Sequence, residues 1–425
     1  MRNVLSMRER YVLRSYVIGA AAARTGDEMS GPALLLAGLA ITGSASTATL
    51  LLAGVTVSAA VGGPVFGVLL DRSPRPGRLL AVALGAYASA LVLILLSIGR
   101  VPVVATLLIA VCAGLLGPAL SGGWTGQLPH TVGEKDLSRA TSLDAMTFNA
   151  AGLTGPAAAG AVAGTAGAPA SVIVSATLIG VAVPTAWRLP VPSPAPVPKP
   201  VLPPESAPSP ALPLRRPLAL RPPARTPLTA DIRAGFRAIV RTPPLARATA
   251  VSVISCVGQG MFVACSPLLG ERVFGAAGHG VLLLSGVAAS ALLANALLAR
   301  CPRLMRRPDT VLRCATLVLA VALLLAAAGR PVPLIVAAVI AGLGEGPQLA
   351  ALFAVRHREA PERLRAQIFT TGASLKITAF ALGATLTAPL AARSLPAALL
   401  TAAAIQAFAA LSYGSPIRRK SPGQR

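Results

Sequence analysis

Charged side chains are scarce in this sequence, and acids are scarcest: 14 Asp and Glu stand against 38 Lys and Arg in 425 residues, and charged residues make up 12% of the chain. Globular chains carry about 25%. A water-facing surface cannot be assembled from so few charges without large apolar patches, which excludes a soluble protein. The five cysteines, Cys112, Cys256, Cys265, Cys301 and Cys314, form no CxxC pair and read as small buried hydrophobes. The three histidines, His130, His279 and His357, fall far apart in connecting segments. No metal site, cofactor site or enzyme constellation is expected from these residues. A glycine-rich phosphate loop is also missing, which argues against an ATP-driven pump. Aromatic residues are sparse at 4%. Trp124 and Phe262, with Gln127, Gln259 and Met261, are weak candidates for lining a cavity.

Apolar residues, by contrast, make up 54% of the chain, and the mean hydropathy is +0.70. They come in blocks; residues 79–98 carry no charge at all. A helix crossing the hydrocarbon core needs roughly 20 residues at about 1.5 Å each. The blocks predict about twelve spans, at 11–40, 45–70, 79–98, 102–126, 140–164, 168–187, 245–269, 278–298, 310–328, 331–355, 366–391 and 395–413. An even number puts both termini on one side. Arg100, Arg272, Arg330 and Arg393 fall on the opposite side, and Arg24 and Lys376 lie within spans. The other 32 of the 38 basic residues, Arg356 among them, fall on the side of the termini. The positive-inside rule makes that side cytoplasmic and the chain a multi-pass protein of the plasma membrane. The net charge of +24 is then a retention pattern and not a nucleic-acid surface.

The expected organisation is a six-helix half over 1–188, a Pro-rich cytoplasmic linker over 189–228, an amphipathic interfacial helix over 229–243 and a second six-helix half over 244–425 with a short basic tail. The linker has 15 prolines between 189 and 227 and no helical pattern, which predicts an extended spacer. In the interfacial helix, Thr229 is placed to cap. Ile232, Phe236, Ile239 and Val240 share one face, and Arg233, Arg237 and Arg241 form a basic stripe. The halves repeat each other: Arg100 aligns with Arg330, and Arg139-Ala140 with Arg365-Ala366, at separations of 226 to 230 residues. A parallel repeat of six spans is a known transporter plan, with the site between the halves.

The segment GVLLDRSPRPGR, residues 67–78, resembles the loop between spans two and three of the major facilitator superfamily. Gly67, Leu69, Asp71, Arg72 and Arg75 match; Pro74 stands where the family has glycine, and Gly77 and Arg78 close the loop. Gly67 permits close helix approach. Asp71 can accept hydrogen bonds from a helix N-terminus, and the arginines can pair with carboxylates or lipid phosphates. The resemblance implies a latch between the two halves in the outward-open state. Plain positive-inside retention is the alternative reading for the arginines. Gly155, Pro156 and Gly160 resemble the antiporter motif of drug/proton exchangers, with Ala159 replacing one glycine; small-residue helix packing explains them equally. The family's span-four arginine is absent, since Ala110 stands before Gly114.

Ionisable residues inside spans cost about 2.5–3.5 kcal/mol each at mid-membrane, so they face cavities or partners. Arg24, Asp27 and Glu28 sit near the middle of the first span. Either acid can pair with Arg24 at helical spacing, leaving the other for proton coupling. Glu345 and Gln348 lie mid-span in the tenth. Lys376 lies in the eleventh, either snorkelling or pairing with Glu345 or a span-one acid. Asp144, near the inner end of the fifth span, is expected to serve a gate or latch, as a partner for loop arginines. The resemblance implies an all-α membrane protein of the superfamily fold. It would be a monomer in the lipid bilayer that moves a small-molecule substrate by alternating access, coupled to protons and directed outward. Import and a non-transporting scaffold role for the Pro-rich segment are the alternatives.

Overall fold

The computed structural model describes residues 7–191, 227–276 and 278–414; most of the Pro-rich linker and the tail beyond 414 lie outside them. The described residues form helices and no strand. The first bundle holds α1 (Met7–Thr42), α2 (Ala45–Arg72), α3 (Pro76–Ser97), α4 (Val103–Gly114), α5 (Glu134–Ala166) and α6 (Ala168–Trp187). A linking helix follows, α7 (Leu228–Arg241). The second bundle holds α8 (Pro243–Phe274), α9 (Gly278–Arg300), α10 (Pro308–Ala327), α11 (Pro331–Glu359), α12 (Arg365–Arg393) and α13 (Leu395–Gly414). Among the described residues ten helices are long and apolar enough to cross a membrane. α1 and α5 are the two expected spans outside that number. They are long, at 36 and 33 residues, but Arg24, Asp27 and Glu28 make α1 too polar, and α5 beyond Asp144 is uncharged but built largely of Ala, Gly and Thr, too weakly apolar. The two pack against each other, and Arg24 and Asp144 are buried where they meet.

The first bundle closes on a core that includes Tyr16, Met29, Leu34, Tyr87, Leu91, Trp124 and Ile179. The second has its own core, with Met261, Leu319, Leu334 and Leu399. A third cluster joins the bundles, packing Ala145 and Phe148 of α5 against Phe353 of α11 and Phe369 of α12. Trp124 and Met261, weak cavity candidates by sequence, are core residues at 0% exposure.

The connections differ between the two ends of the bundles. At one end the turns after α1, α3, α5, α8 and α10 each carry a glycine at positive φ: Gly43, Gly99, Gly167, Gly275 and Gly329. Only glycine takes that conformation without a Cβ clash, which lets a helix reverse within a few residues. At the other end lie Met7 and Gly414, where the described residues start and stop, the basic connections and α7. There α2 runs beside α12 so closely that a methyl group at Gly67 would overlap the Gln367 backbone, and one at Gly63 the backbone of Thr370. α4 ends at Gly114 and continues through a π-turn at Ala119–Gly123. A Cβ at Gly122 would come within 2.6 Å of the Phe369 carbonyl carbon. The bulge therefore brings bare backbone against α12.

α7 starts after Pro227, with no side-chain cap from Thr229. Its buried edge is Gly235 and Ile239, while Phe236 and Val240 are 39% and 72% exposed. Of the apolar face expected from sequence, only Ile239 is buried in protein. The reason is Gly235, which crosses over the Gln367 side chain and fixes which edge meets α12.

Candidate functional site

Between the bundles lies a cavity of about 560 Å³, lined by residues of α1, the π-turn, α5 and α8–α13. Arg24, Asp27, Glu28, Gln259, Glu345 and Lys376 all line it, with Phe148, Phe262, Phe353, Phe369 and Phe380 among the apolar lining. The in-span charges read from the sequence are thus brought together, but not in the pairs expected.

Arg24 binds neither neighbouring acid. Its Nη1 lies 2.8 Å from Oδ1 of Asp144 and also donates to the Asp144 carbonyl, at 3.0 Å, and to Thr147. Its Nη2 donates to Thr125 at 2.8 Å, and Thr125 in turn donates to Oδ2 of Asp144 at 2.9 Å. Tyr16 donates to the same carboxylate at 2.8 Å. The guanidinium lies 3.7 Å above the Phe148 ring. Arg24 and Asp144 are 2% and 0% exposed. Side chains on a helix lean toward its N-terminus. Arg24 therefore reaches back toward the level of Tyr16 and α5, away from Asp27 and Glu28. The expectation that Asp144 partners loop arginines is overturned for the same reason: it is spent inside this buried network.

The two acids are left facing other groups. Asp27 accepts a hydrogen bond from Tyr87 at 3.1 Å. Glu28, Glu345 and Lys376 line the same cavity, and no salt bridge joins Lys376 to either acid. Gln348 belongs to a neutral knot in the second bundle. It donates to Ser255 at 2.9 Å and Thr316 at 2.8 Å and accepts from Gln259 at 2.9 Å. Gln406 accepts from Ser255 at 2.7 Å. Gly155 lets α5 approach α1 where a Cβ would meet that of Glu28 at 2.7 Å, and Pro156 lines the cavity. Gly160 faces open space, so close packing does not explain it.

Two residues with a claim on the site were missed. Arg356, counted by sequence with the retention charges, lies inside α11 at 1% exposure and lines the cavity. His357 is in the same helix, buried, and stacks 4.6 Å from the Phe369 ring. His279, also read as a loop residue, lies in α9. The signal available in the sequence was helical register: Arg356 follows Glu345 by 11 residues, three turns, and so shares its face.

At the basic end, below the cavity, the bundles are tied together. Asp71 accepts from the backbone N–H groups of Ala366 and Gln367, both at 2.9 Å, at the N-terminus of α12. These are orphan donors of the first helical turn. Arg72 pairs with Asp231 of α7 at 2.6 Å, and Gln367 donates to the carbonyls of Asp231 and Ile232, each at 3.1 Å. Further from that end, level with the cavity, Ser374 donates to the Ala59 carbonyl at 2.5 Å and accepts from the Gly63 N–H at 3.2 Å. Arg78 stacks on Trp187 at 5.2 Å, and Arg75 precedes α3 without a salt bridge.

The family model described as Major Facilitator Superfamily matches residues 16–376. The chain belongs to the major facilitator superfamily. No curated protein matches the sequence. Among solved structures, the human organic anion transporter MFSD10 (TETRAN) has 14% identity and a TM-score of 0.72, covering 96% of this chain and 100% of that one. A bacterial homologue of the iron transporter ferroportin in the outward-facing state has 15% identity and a TM-score of 0.69, covering 95% and 99%. A single-residue variant of the E. coli fucose:proton symporter FucP has 13% identity and a TM-score of 0.67, covering 95% and 97%. At such identities the likeness is one of fold. This superfamily member is a multi-pass membrane protein with its charged cavity where that fold's two bundles meet.

Proposed function

We propose that this protein is a secondary transporter in the plasma membrane, acting as a monomer with both termini cytoplasmic. It moves a small solute by rocking 1–188 against 244–425, with an inward proton flow driving export. The observation that carries the proposal is the cavity between the bundles with Asp27 and Glu28 on its wall, neither of them paired with Arg24. A carboxylate in such a place is stable only if it can exchange a proton or meet a cation. Arg24 is held by Asp144, so the two acids are available to titrate as the cavity changes sides. The ties from Asp71 and Arg72 close the basic end, which supports an outward-facing state with residues 67–78 as its latch. Each unit charge moved inward gains about 2.3 kcal/mol per 100 mV. Export follows the likeness of Gly155-Pro156 to the antiporter motif. The fold shared with a fucose:proton symporter supports proton coupling and, as a second reading, import.

The test is a compound screen in everted vesicles, reading collapse of an imposed pH gradient on addition of each compound. Wild-type protein is expected to give substrate-dependent proton flux. Asp27→Asn and Glu28→Gln together are expected to abolish it while the protein still inserts. Undiminished flux in the double variant would rule out these acids as the coupling groups.

A further inference from the structure

The cavity floor is a row of aromatic rings that crosses from one bundle to the other. Phe148 of α5 lies 5.5 Å from Phe353 of α11, and Phe353 lies 5.7 Å from Phe369 of α12. A guanidinium rests on each end of the row. Arg24 sits over Phe148 at 3.7 Å and Arg356 over Phe369 at 5.8 Å. The first is neutralised by Asp144 and bonded by Thr125 and Thr147, with only its Nε left unpaired. The second has no carboxylate within salt-bridge distance, and its Nε and Nη2 are buried with no hydrogen-bond partner. Glu345, on the same face of α11, is about 16 Å away along the axis at 1.5 Å per residue. Arg356 nestles against Gly372, where any side chain would displace it, and Lys376 stands one turn further along α12. An uncompensated guanidinium away from water is strongly disfavoured. The planar fork of Arg is suited to an oxyanion, which it binds through two parallel hydrogen bonds.

The groups on the far side of Arg356 continue the pattern. His357 and His130 are buried with both ring nitrogens unpaired, and Nε of Arg365 is unpaired as well. His130, outside the spans, is held below its ordinary pKa first by burial and then by the Arg365 charge. Between the cavity floor and the closed basic face these groups add donors and positive charge, beside the acids Asp71 and Glu362.

We infer that the substrate is an amphiphilic organic anion, whose carboxylate, sulfonate or phosphate group docks on Arg356 while its apolar body lies on the Phe148–Phe353–Phe369 row. This rests on the transport reading above and adds the substrate class to it. A cavity of this volume suits a drug-sized ligand held by few polar anchors. The negative wall of Asp27 and Glu28 does not conflict, because an incoming anion favours their protonation and so ties its own passage to protons.

The test uses the full-length protein in detergent and three probes of one shape: 1-naphthoate, 1-naphthamide and 1-naphthylmethylammonium. The naphthoate is expected to raise the melting temperature in a dose-dependent way, and the amide and the cation are not. Arg356→Lys is expected to weaken the naphthoate about tenfold and Arg356→Gln to abolish its effect. Arg358→Gln, at an exposed arginine of the same helix that pairs with Asp309, is expected to leave it unchanged. Should Arg356→Gln fail to fold, the wild-type charge series and Arg356→Lys decide. The inference is overturned if the cation stabilises as well as the anion. It is also overturned if naphthoate, 1-naphthalenesulfonate and 1-naphthyl phosphate all fail to stabilise, or if a folded Arg356→Gln keeps the anion effect. Flux of the same probes in proteoliposomes is read separately. Binding without flux would sink the transport reading and leave the anion site standing, whereas flux indifferent to charge would sink the anion site alone.

Discussion

Arg24 and Asp144 show how a buried charge pair is made tolerable. Both ions are out of water, but every strong lone pair and most donors find partners in Tyr16, Thr125 and Thr147. Removing one partner leaves the other uncompensated, at a cost of about 3–5 kcal/mol. Asp144→Asn is therefore expected to lower the melting temperature in detergent sharply, and Arg24→Gln added to it to restore part of the loss. If the double variant is less stable than either single one, the pair is not the source of the effect. At this scale the sequence told which charges line the cavity better than whom they meet. Spacing within one helix offered Arg24 two acids, but the direction of its side chain sends it to a residue 120 positions away. Asp71 was legible because its partner is a class of group, a helix N-terminus, and the chain has one where the second half repeats Arg139-Ala140. Arg356 was not, because an arginine just past an apolar run looks like any retention charge.

The contact between α2 and α12 works at the scale of the element. Glycines at 63 and 67 remove side chains from one helix, so the backbones touch and the polar ties of Asp71 and Ser374 come within bonding distance. Forcing a side chain into such a seam costs about 1–3 kcal/mol. Gly67→Val is expected to open the basic end, raising maleimide labelling of a cysteine at position 374 in a cysteine-free background several-fold. Gly160→Val, which meets open space, is expected to change nothing. Equal labelling in the two variants would remove the seam from the mechanism. Helix positions were readable from hydropathy, and the spans fall close to the observed helices. The orientation of α7 was not, because an amphipathic pattern gives a face but not the neighbour that claims it. Gly235, lying over Gln367, settled that.

For the whole molecule, two bundles with separate cores and one shared aromatic floor suit a rocking motion better than a local gate. Joining them at the basic end is expected to arrest transport. Cysteines at 67 and 370, where a Cβ at 67 would meet the Thr370 hydroxyl oxygen, should form a disulfide that stops flux reversibly on reduction. Continued flux in the cross-linked protein would exclude alternating access through that end. The span plan was visible in the sequence from block length, although α1 and α5 are less apolar than the rest and bury Arg24 and Asp144 where they meet.

The glycine turns carry a further consequence. On that face the connections between helices are one to five residues long. A protease needs an extended stretch of several residues to enter its cleft, and an antibody needs a comparable raised surface. Neither is offered there; with that face outside the cell, as proposed above, intact cells should resist both digestion and surface labelling of this protein. A recognition tag must be built into the opposite face, or added by lengthening one of those turns.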